Sequence, residues 1–203
     1  MAKMRHEFKH AINPLDAQLV RGRLKCAAQL DRFADEDGGY RVNSLYFDTP
    51  TDRALREKID GVNPRMKFRI RYYNDDQNFI RLEKKSKISG LCEKKGTRLS
   101  REQCQSMMEG REDWYTPGDP VLDELYSAWK SRGLRPREVV VYRREAFVYP
   151  AGNVRVTLDY DLRRGTQVER FLSLENETEP IYDGTILEVK YDEFLPQFIC
   201  DLV

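Results

Sequence analysis

The sequence predicts an α+β fold: a closed antiparallel β-barrel of about eight strands with a charged interior, flanked by helices. Three observations support it. Met66–Tyr73 alternates strictly between apolar and mostly cationic residues, as a strand with two different faces does. Similar charged alternation recurs in other strand-like segments, and amphipathic helices are available to cover the apolar faces. With 203 residues and no linker-like stretch, residues 1–203 are expected to form a single domain.

The elements follow from local patterns taken in chain order. Alternation predicts the first strand, β-forming residues the second, and the Asn74–Asn78 turn joins the alternating strand to a hairpin partner. The predicted strands are Arg5–Ile12, Tyr40–Phe47, Met66–Tyr73, Phe79–Lys87, Leu91–Arg98, Glu138–Tyr149, Val154–Tyr160 and Thr185–Tyr191, with Phe171–Leu174 as a weaker candidate.

Helix starts carry recognisable capping residues. Asn13-Pro14 begins a helix whose apolar spacing continues to Leu30, and Thr49-Pro50 begins a short one. Ser100-Arg101-Glu102-Gln103 is a capping box. Asp119-Pro120 starts a helix that is closed by Gly133.

The charged residues are sorted by position although the formal net charge is only +1. Residues 65–98 hold eleven basic and four acidic side chains, whereas residues 158–203 hold four basic and eleven acidic ones. Charged residues also repeat on one strand face, as in Arg5/Glu7/Lys9, Lys67/Arg69/Arg71, Arg81/Glu83/Lys85/Lys87, Arg155/Thr157/Asp159 and Glu188/Lys190. Cations roughly 7 Å apart along a strand suit a chain of phosphates. The alternative is that these faces are ordinary solvated surfaces.

Several function classes are disfavoured by what the sequence contains. There is no P-loop and no Gly-x-Gly-x-x-Gly fingerprint. His6-Glu7-Phe8-Lys9-His10 matches the zincin pattern by letter, but a strand would hold the two rings about 13 Å apart. No apolar run is long enough for a membrane helix, and the N-terminus shows no secretory signal. Four scattered cysteines favour a reduced, cytoplasmic setting.

Seven motifs, in this order, resemble one known family. They are Arg5-His6-Glu7-Phe8-Lys9, Ser44-Leu45-Tyr46-Phe47-Asp48-Thr49, Glu57-Lys58-Ile59-Asp60-Gly61, Lys67-Phe68-Arg69-Ile70-Arg71-Tyr72, Leu82-Glu83-Lys84-Lys85, Val141-Tyr142-Arg143-Arg144-Glu145-Ala146-Phe147 and Ile186-Leu187-Glu188-Val189-Lys190-Tyr191. Together they are similar to the VTC domain, the polyphosphate polymerase domain of the vacuolar transporter chaperone and its bacterial relatives. That family belongs to the triphosphate tunnel metalloenzymes.

The resemblance implies a tunnel that binds ATP or another triphosphate, inorganic polyphosphate, and Mn²⁺ or Mg²⁺. By motif position, the residues implied to be catalytic are Arg69, Arg71, Lys85 and Arg144. Those implied to bind phosphate are Lys9, Lys58, Lys94, Tyr142, Arg155 and Lys190. Glu188 resembles the metal-binding glutamate of the family, and Glu7 is a second candidate ligand. No nucleic-acid partner is expected.

Two departures from the family pattern bear on the activity. The Glu-x-Glu-x-Lys signature of the triphosphatase branch is Arg5-His6-Glu7-Phe8-Lys9 here, and the loss of its first acid favours the polymerase branch. Family members also continue beyond this chain's last residue, Val203, into a helical segment with a Ser-Lys pair. The sequence therefore supports phosphate binding more strongly than catalysis. Because of the first departure, polyphosphate synthesis is the main hypothesis for the activity. The alternatives are a triphosphatase of the same fold, a polyphosphate-binding module without catalysis, or an RNA-binding domain.

Overall fold

Antiparallel strands dominate the computed structural model, which describes residues 4–173 and 177–203. In chain order the strands are β1 (His6–Ile12), β2 (Gln29–Leu30), β3 (Tyr40–Asp48), β4 (Arg65–Tyr73), β5 (Asp76–Ile88), β6 (Leu91–Leu99), β7 (Arg135–Tyr149), β8 (Val154–Gly165), β9 (Thr178–Tyr182) and β10 (Thr185–Tyr191). Eight of them form one sheet in the order β1-β10-β8-β7-β3-β4-β5-β6. The two others are short additions, β2 on β7 and β9 on β8.

Five helices flank the sheet in the described residues, and the starts of three of them confirm the capping predictions. The helices are α1 (Pro14–Ala27), α2 (Arg53–Ile59), α3 (Arg101–Met108), α4 (Pro120–Arg132) and α5 (Gln197–Leu202). Asn13 caps α1, Ser100 and Gln103 form the capping box of α3, and Asp119 caps α4, which ends at Gly133 with φ 65°. The short helix predicted to begin at Thr49-Pro50 begins at Arg53 instead, after a turn, and the last helix was not predicted. In residues 4–173 and 177–203, none of the helices combines the length and hydropathy needed to cross a bilayer.

The sheet is curled, but its two edge strands barely meet. Arg5, just before β1, exchanges backbone hydrogen bonds of 3.1 and 3.0 Å with Cys92 of β6. Because Arg5 pairs with Cys92 in the antiparallel direction, the residues after Arg5 run toward the Ser89-Gly90 turn between β5 and β6. The strand β1 therefore passes the end of β6 and forms no ladder with it. His6–Ile12 pairs with β10 instead. The structure is therefore an open half-barrel, and the closed barrel predicted from the sequence is not formed by the described strands.

Apolar side chains lie on the convex face of the sheet, beneath the helices. One core places Phe68, Ile70 and Tyr72 of β4 against the buried tryptophans Trp114 and Trp129. A second core lies on the other half of the sheet, where α1 and α5 cover apolar residues of β7, β8 and β10. Because the helices cover this face, the alternate residues of the same strands point into the concave side. The strict alternation predicted for Met66–Tyr73 is thereby confirmed.

Three other local predictions were wrong or incomplete. The first helix ends at Ala27, since residues 29–30 leave it to form β2 against β7. Phe171 and Leu172 are buried in a turn rather than in a strand, and Leu174 lies outside the described residues. The strand β9 was not predicted; its Thr-Glu-Pro-Ile-Tyr sequence is mostly exposed and contains Pro180, which an edge strand tolerates.

Candidate functional site

The concave side of the half-barrel encloses a cavity of about 360 Å³. Its lining includes eight basic residues and two acidic ones: Arg5, Arg69, Arg71, Lys85, Lys94, Arg144, Arg155, Lys190, Glu7 and Glu93. Volumes of this order are typical of small-molecule sites. With basic residues in this excess, the cavity concentrates positive potential and favours an anionic ligand.

Beside the cavity, two of its lining cations hold the carboxylate of Glu83. Arg69 Nε donates to Glu83 Oε2 at 2.7 Å, and Lys94 Nζ donates to Glu83 Oε1 at 2.7 Å. Burial disfavours the charged form of Glu83, but Arg69, Arg71 and Lys94 outweigh it and hold its pKa well below the usual range. Glu83 is therefore ionised, and it fixes the orientation of Arg69.

Arg71 is held differently, because its partners are hydroxyl groups. Its Nε donates to Ser44 Oγ at 3.2 Å and its Nη2 to Tyr142 Oη at 3.0 Å. The residue is only 4% exposed. Within the described parts of the chain no carboxylate forms an ion pair with it, and the nearby Glu83 is paired with Arg69 and Lys94 instead. The guanidinium of Arg71 is therefore open to an ion pair with a ligand in the cavity.

A lysine and glutamate network joins β1 to β5 and β10. Lys85 Nζ contacts both carboxylate oxygens of Glu7 at 2.6 Å, and Lys9 Nζ lies 2.6 Å from Glu188 Oε2. Lys190 contacts Glu188 and lies 3.6 Å from Glu7. Burial raises the pKa of Glu7, but Lys85, Lys190 and Lys9 more than offset this and lower it to about 2. Both glutamates thus lie among the cations expected to bind phosphate.

Two further arginines have acidic partners in the same wall. Arg144 forms a two-pronged pair with Asp159, with both N–O distances at 2.6 Å and both residues buried. Arg155 donates to Tyr40 Oη at 2.8 Å and lies 2.5 Å from Asp31 Oδ2. These pairs hold the guanidinium planes in fixed positions at the cavity surface.

Comparison with known families shows which family the sequence belongs to. The sequence profile of the VTC domain matches residues 4–203. The chain belongs to the VTC domain family. No curated protein matches the sequence.

Solved structures similar to this VTC domain share its fold at low identity. A Bacillus halodurans protein assigned as an adenylate cyclase has a TM-score of 0.59 at 14% identity, covering 98% of this chain and 86% of its own. A Hippeastrum protein, assigned as an adenylyl cyclase and with a dominant triphosphatase activity, has a TM-score of 0.53 at 14% identity, covering 98% and 83%. The PH1012 protein of Pyrococcus horikoshii OT3 has a TM-score of 0.50 at 13% identity, covering 98% and 87%.

Of the residues singled out from the motifs of the VTC domain, all but Lys58 join the cavity or its networks. Arg69, Arg71, Lys85, Lys94, Arg144, Arg155, Lys190 and Glu7 line the cavity. Tyr142 and Glu188 contact the lining residues Arg71 and Lys190, and Lys9 contacts Glu188. Lys58 is exposed near the end of α2 and does not line the cavity, because α2 packs outside, against β3 and β4. A role for Lys58 in phosphate binding stays a prediction.

Several polar residues of the site were not singled out from the sequence. Glu83 belongs to the same strand face as Lys85, so strand parity contained the signal. Asp159 likewise follows Arg155 and Thr157 on one face of β8. Tyr46 and Ser44 lie on β3, whose sequence shows no charged alternation, so only the fold reveals that they face Arg69 and Arg71. Asp31, in the connection after β2, also had no sequence signal.

Lys67 and Tyr46 form a titratable pair at one end of the concave face. Lys67 Nζ lies 5.0 Å from the centre of the Tyr46 ring. Burial and the neighbouring Arg69 lower the pKa of Lys67 to about 8, against the attraction of Tyr46. Although burial opposes it, Arg69, Lys67 and Arg71 lower the pKa of Tyr46 far below its ordinary value. Both pKa shifts bring the titration of these groups closer to neutral pH.

We expect triphosphate binding near pH 8 to be coupled to proton uptake. An incoming anion raises the pKa of both groups, so Lys67 and Tyr46 take up protons from solution. Titration calorimetry with inorganic triphosphate, repeated in buffers of different ionisation enthalpy, measures this uptake. The Lys67→Met variant should take up fewer protons than the wild-type protein. Protons exchanged by the ligand itself are the same in both titrations, so they cancel in the difference. Equal uptake in the two proteins would contradict the assignment.

The residues present are compatible with a divalent cation that binds together with phosphate. Among the described residues there is no group of three or more His, Cys, Asp or Glu side chains suited to a metal. However, Mg²⁺ is often held by one or two carboxylates together with substrate phosphate oxygens. Glu188 is 2% exposed, and Thr157 pairs with it across β8 and β10. The Thr157 hydroxyl is buried without a hydrogen-bond partner among the described residues, and it offers a further oxygen beside the carboxylate.

Proposed function

We propose that this VTC domain is a polyphosphate polymerase-type phosphotransferase that uses ATP and a divalent cation. The observation that carries the proposal is Arg71, a buried guanidinium whose partners are only hydroxyl groups, in a cavity whose charged lining is mostly basic. A buried guanidinium without an ion pair of its own favours an anionic partner, and a bound phosphate would supply one. The membership of the VTC domain family supports the choice of reaction.

The proposed reaction needs the protein chiefly for positioning and charge neutralisation. The terminal phosphate oxygen of the growing chain attacks the γ-phosphorus of ATP, a new P–O–P bond forms, and the bond to ADP breaks. Arg69, Arg71 and Arg144 would hold non-bridging oxygens in fixed planes, since their partners already orient the guanidinium groups. Lys85 would neutralise charge on the same oxygens.

The other candidate residues would act on phosphates next to those held by the three arginines and Lys85. Lys9, Lys94, Arg155 and Lys190 would neutralise the neighbouring phosphates, with Tyr142 holding Arg71 in place. A Mn²⁺ or Mg²⁺ ion held by Glu188, with Glu7 as a second carboxylate, would supply Lewis-acid stabilisation of the phosphate charge. The site would also suit free inorganic polyphosphate, since its cations follow successive positions along the strands.

Hydrolysis of a triphosphate is the second candidate function. The ionised carboxylates Glu7 and Glu83 lie in or beside the cavity and could orient a water molecule for attack on phosphorus. The Hippeastrum protein with a similar fold has a dominant triphosphatase activity. In hydrolysis the accepting atom is a water oxygen, so the product is free phosphate rather than a longer chain.

The distinguishing experiment is to incubate the protein with ATP and either Mn²⁺ or Mg²⁺. Polyphosphate is resolved on a gel, and free phosphate is measured in parallel. Polymer formation that is lost in Glu188→Gln but kept in Glu179→Gln, a change of an exposed glutamate on β9, is the expected result. Phosphate without polymer would indicate a triphosphatase, and tight triphosphate binding without either product would indicate a binding module.

A further inference from the structure

A second cavity adjoins the basic cavity at one end of the half-barrel. It measures about 540 Å³, and Tyr40, Tyr73 and Arg155 line both cavities. Its remaining lining includes Phe33 and Phe79. The wall changes from mostly cationic to mostly aromatic at this boundary, within one continuous concave surface.

The aromatic residues continue the same strand faces that carry the cations. Tyr73 follows Arg69 and Arg71 at the even spacing of one face of β4, and Phe79 stands in the same relation to the charged face of β5. At this end of β4 and β5, the next side chains on the charged strand face are therefore aromatic rings. Tyr40 and Tyr73 pack edge to face with ring centroids 5.6 Å apart.

Two of these rings remain exposed to solvent. Phe33 is 66% exposed and Phe79 is 43% exposed. Arginine guanidinium groups lie near both rings, Arg32 at 4.7 Å from Phe33 and Arg81 at 5.8 Å from Phe79. A single exposed phenylalanine needs no explanation, but two that line one cavity beside a triphosphate-sized cationic site form a surface suited to a planar ligand.

Asp31 contacts residues that line each of the two cavities. Its carboxylate accepts a hydrogen bond from the Phe33 backbone N–H at 3.1 Å and lies 2.5 Å from the Arg155 guanidinium. The segment that carries Phe33 is thus tied to an arginine that lines both cavities. A ligand with a charged end and a planar end would contact both halves of this arrangement at once.

We propose that this aromatic cavity, formed by Phe33, Phe79 and Tyr73, binds the nucleobase of a nucleoside triphosphate whose phosphates occupy the basic cavity. The inference rests on the proposed function, since it requires a triphosphate in that cavity. Stacking on aromatic rings tolerates different bases because every base has a π-face. The site accordingly selects nucleoside triphosphates over inorganic triphosphate rather than one base over another.

The test compares ATP with inorganic triphosphate in titration calorimetry. The Phe33→Ala/Phe79→Ala double variant should bind ATP at least about five-fold more weakly than the wild-type protein, as expected for lost base stacking. Its affinity for inorganic triphosphate should be unchanged. Phe194→Ala is the matched control, since Phe194 is also exposed but does not line this cavity. A Phe79→Trp variant should keep its preference for ATP.

The outcomes separate this inference from the proposed function. If ATP affinity does not change in the double variant, or if both ligands weaken equally, the nucleobase site is wrong while triphosphate binding stands. If the wild-type protein binds neither ligand, the proposed function is wrong and the nucleobase site falls with it. Equal melting temperatures of the double variant and the wild-type protein exclude unfolding as the cause of weaker binding.

Discussion

Replacing Arg71 with alanine is expected to lower kcat/KM for the ATP-dependent reaction by at least about 100-fold, the scale seen when one preorganised charge-stabilising donor is removed. The side chain is buried, and its hydrogen bonds to Ser44 and Tyr142 leave it without an ion pair among the described residues, so its charge is available to the substrate. Affinity for inorganic triphosphate, measured by calorimetry, should fall as well, which tests the role without relying on turnover.

The Arg71→Ala variant should remain folded, so a loss of activity or binding can be attributed to the missing guanidinium and not to unfolding. No ion pair is broken among the described residues, and Glu83 keeps Arg69 and Lys94 as partners, so the melting temperature should change little. Arg71→Lys keeps the charge but loses the planar fork, and we expect it to recover only part of the activity. Arg164→Ala is the control, because Arg164 is exposed and pairs with Glu138 at 2.9 Å. Undiminished triphosphate binding in Arg71→Ala would refute the assignment.

The alternation of side chains along each strand made part of the site predictable from the sequence. In β4 the residues Phe68, Ile70 and Tyr72 are buried in the core, and Arg69 and Arg71 reach the cavity on the opposite face. This follows from the two-residue period alone and needs no knowledge of the neighbouring strands. The motif resemblance then supplied residues on other strands, such as Glu7.

Pairing between strands could not be predicted in the same way. That Arg69 meets Glu83 depends on the β4–β5 register, and that Arg144 meets Asp159 depends on β7 and β8, whose register shifts between Val141 and Arg143. Register is set by turn geometry and by packing across the whole sheet. Alternation within one strand says which face a charge occupies, but not which partner it finds there.

Closure of the barrel was overestimated for a related reason. Charged faces on several strands predict a common interior, and the structure places them on one concave side. Whether the sheet edges join depends on strand offset, and Arg5 and Cys92 form the only bridge between those edges among the described residues. The offset is a property of the assembled sheet rather than of either strand.

Breaking the Arg144–Asp159 pair is expected to destabilise the protein strongly, unlike the removal of Arg71. Both residues are buried, and two N–O contacts of 2.6 Å join them. Arg144→Ala leaves the Asp159 carboxylate buried without its partner, which typically costs about 3–5 kcal/mol. For a protein of this size that corresponds to a fall of roughly 6–20 °C in the melting temperature. Thermal unfolding followed by calorimetry or circular dichroism measures it.

Removing both charges separates the cost of the orphaned carboxylate from the value of the pair. The double variant Arg144→Met/Asp159→Leu should recover most of the lost stability, because replacing a buried ion pair by apolar side chains is often close to neutral. Arg144→Lys should be intermediate, since one ammonium cannot form both bonds in the same plane. The double variant should nevertheless bind inorganic triphosphate more weakly, because Arg144 also lines the basic cavity. If the double variant were as unstable as Arg144→Ala, the loss would come from packing of the arginine side chain and not from an unpaired charge.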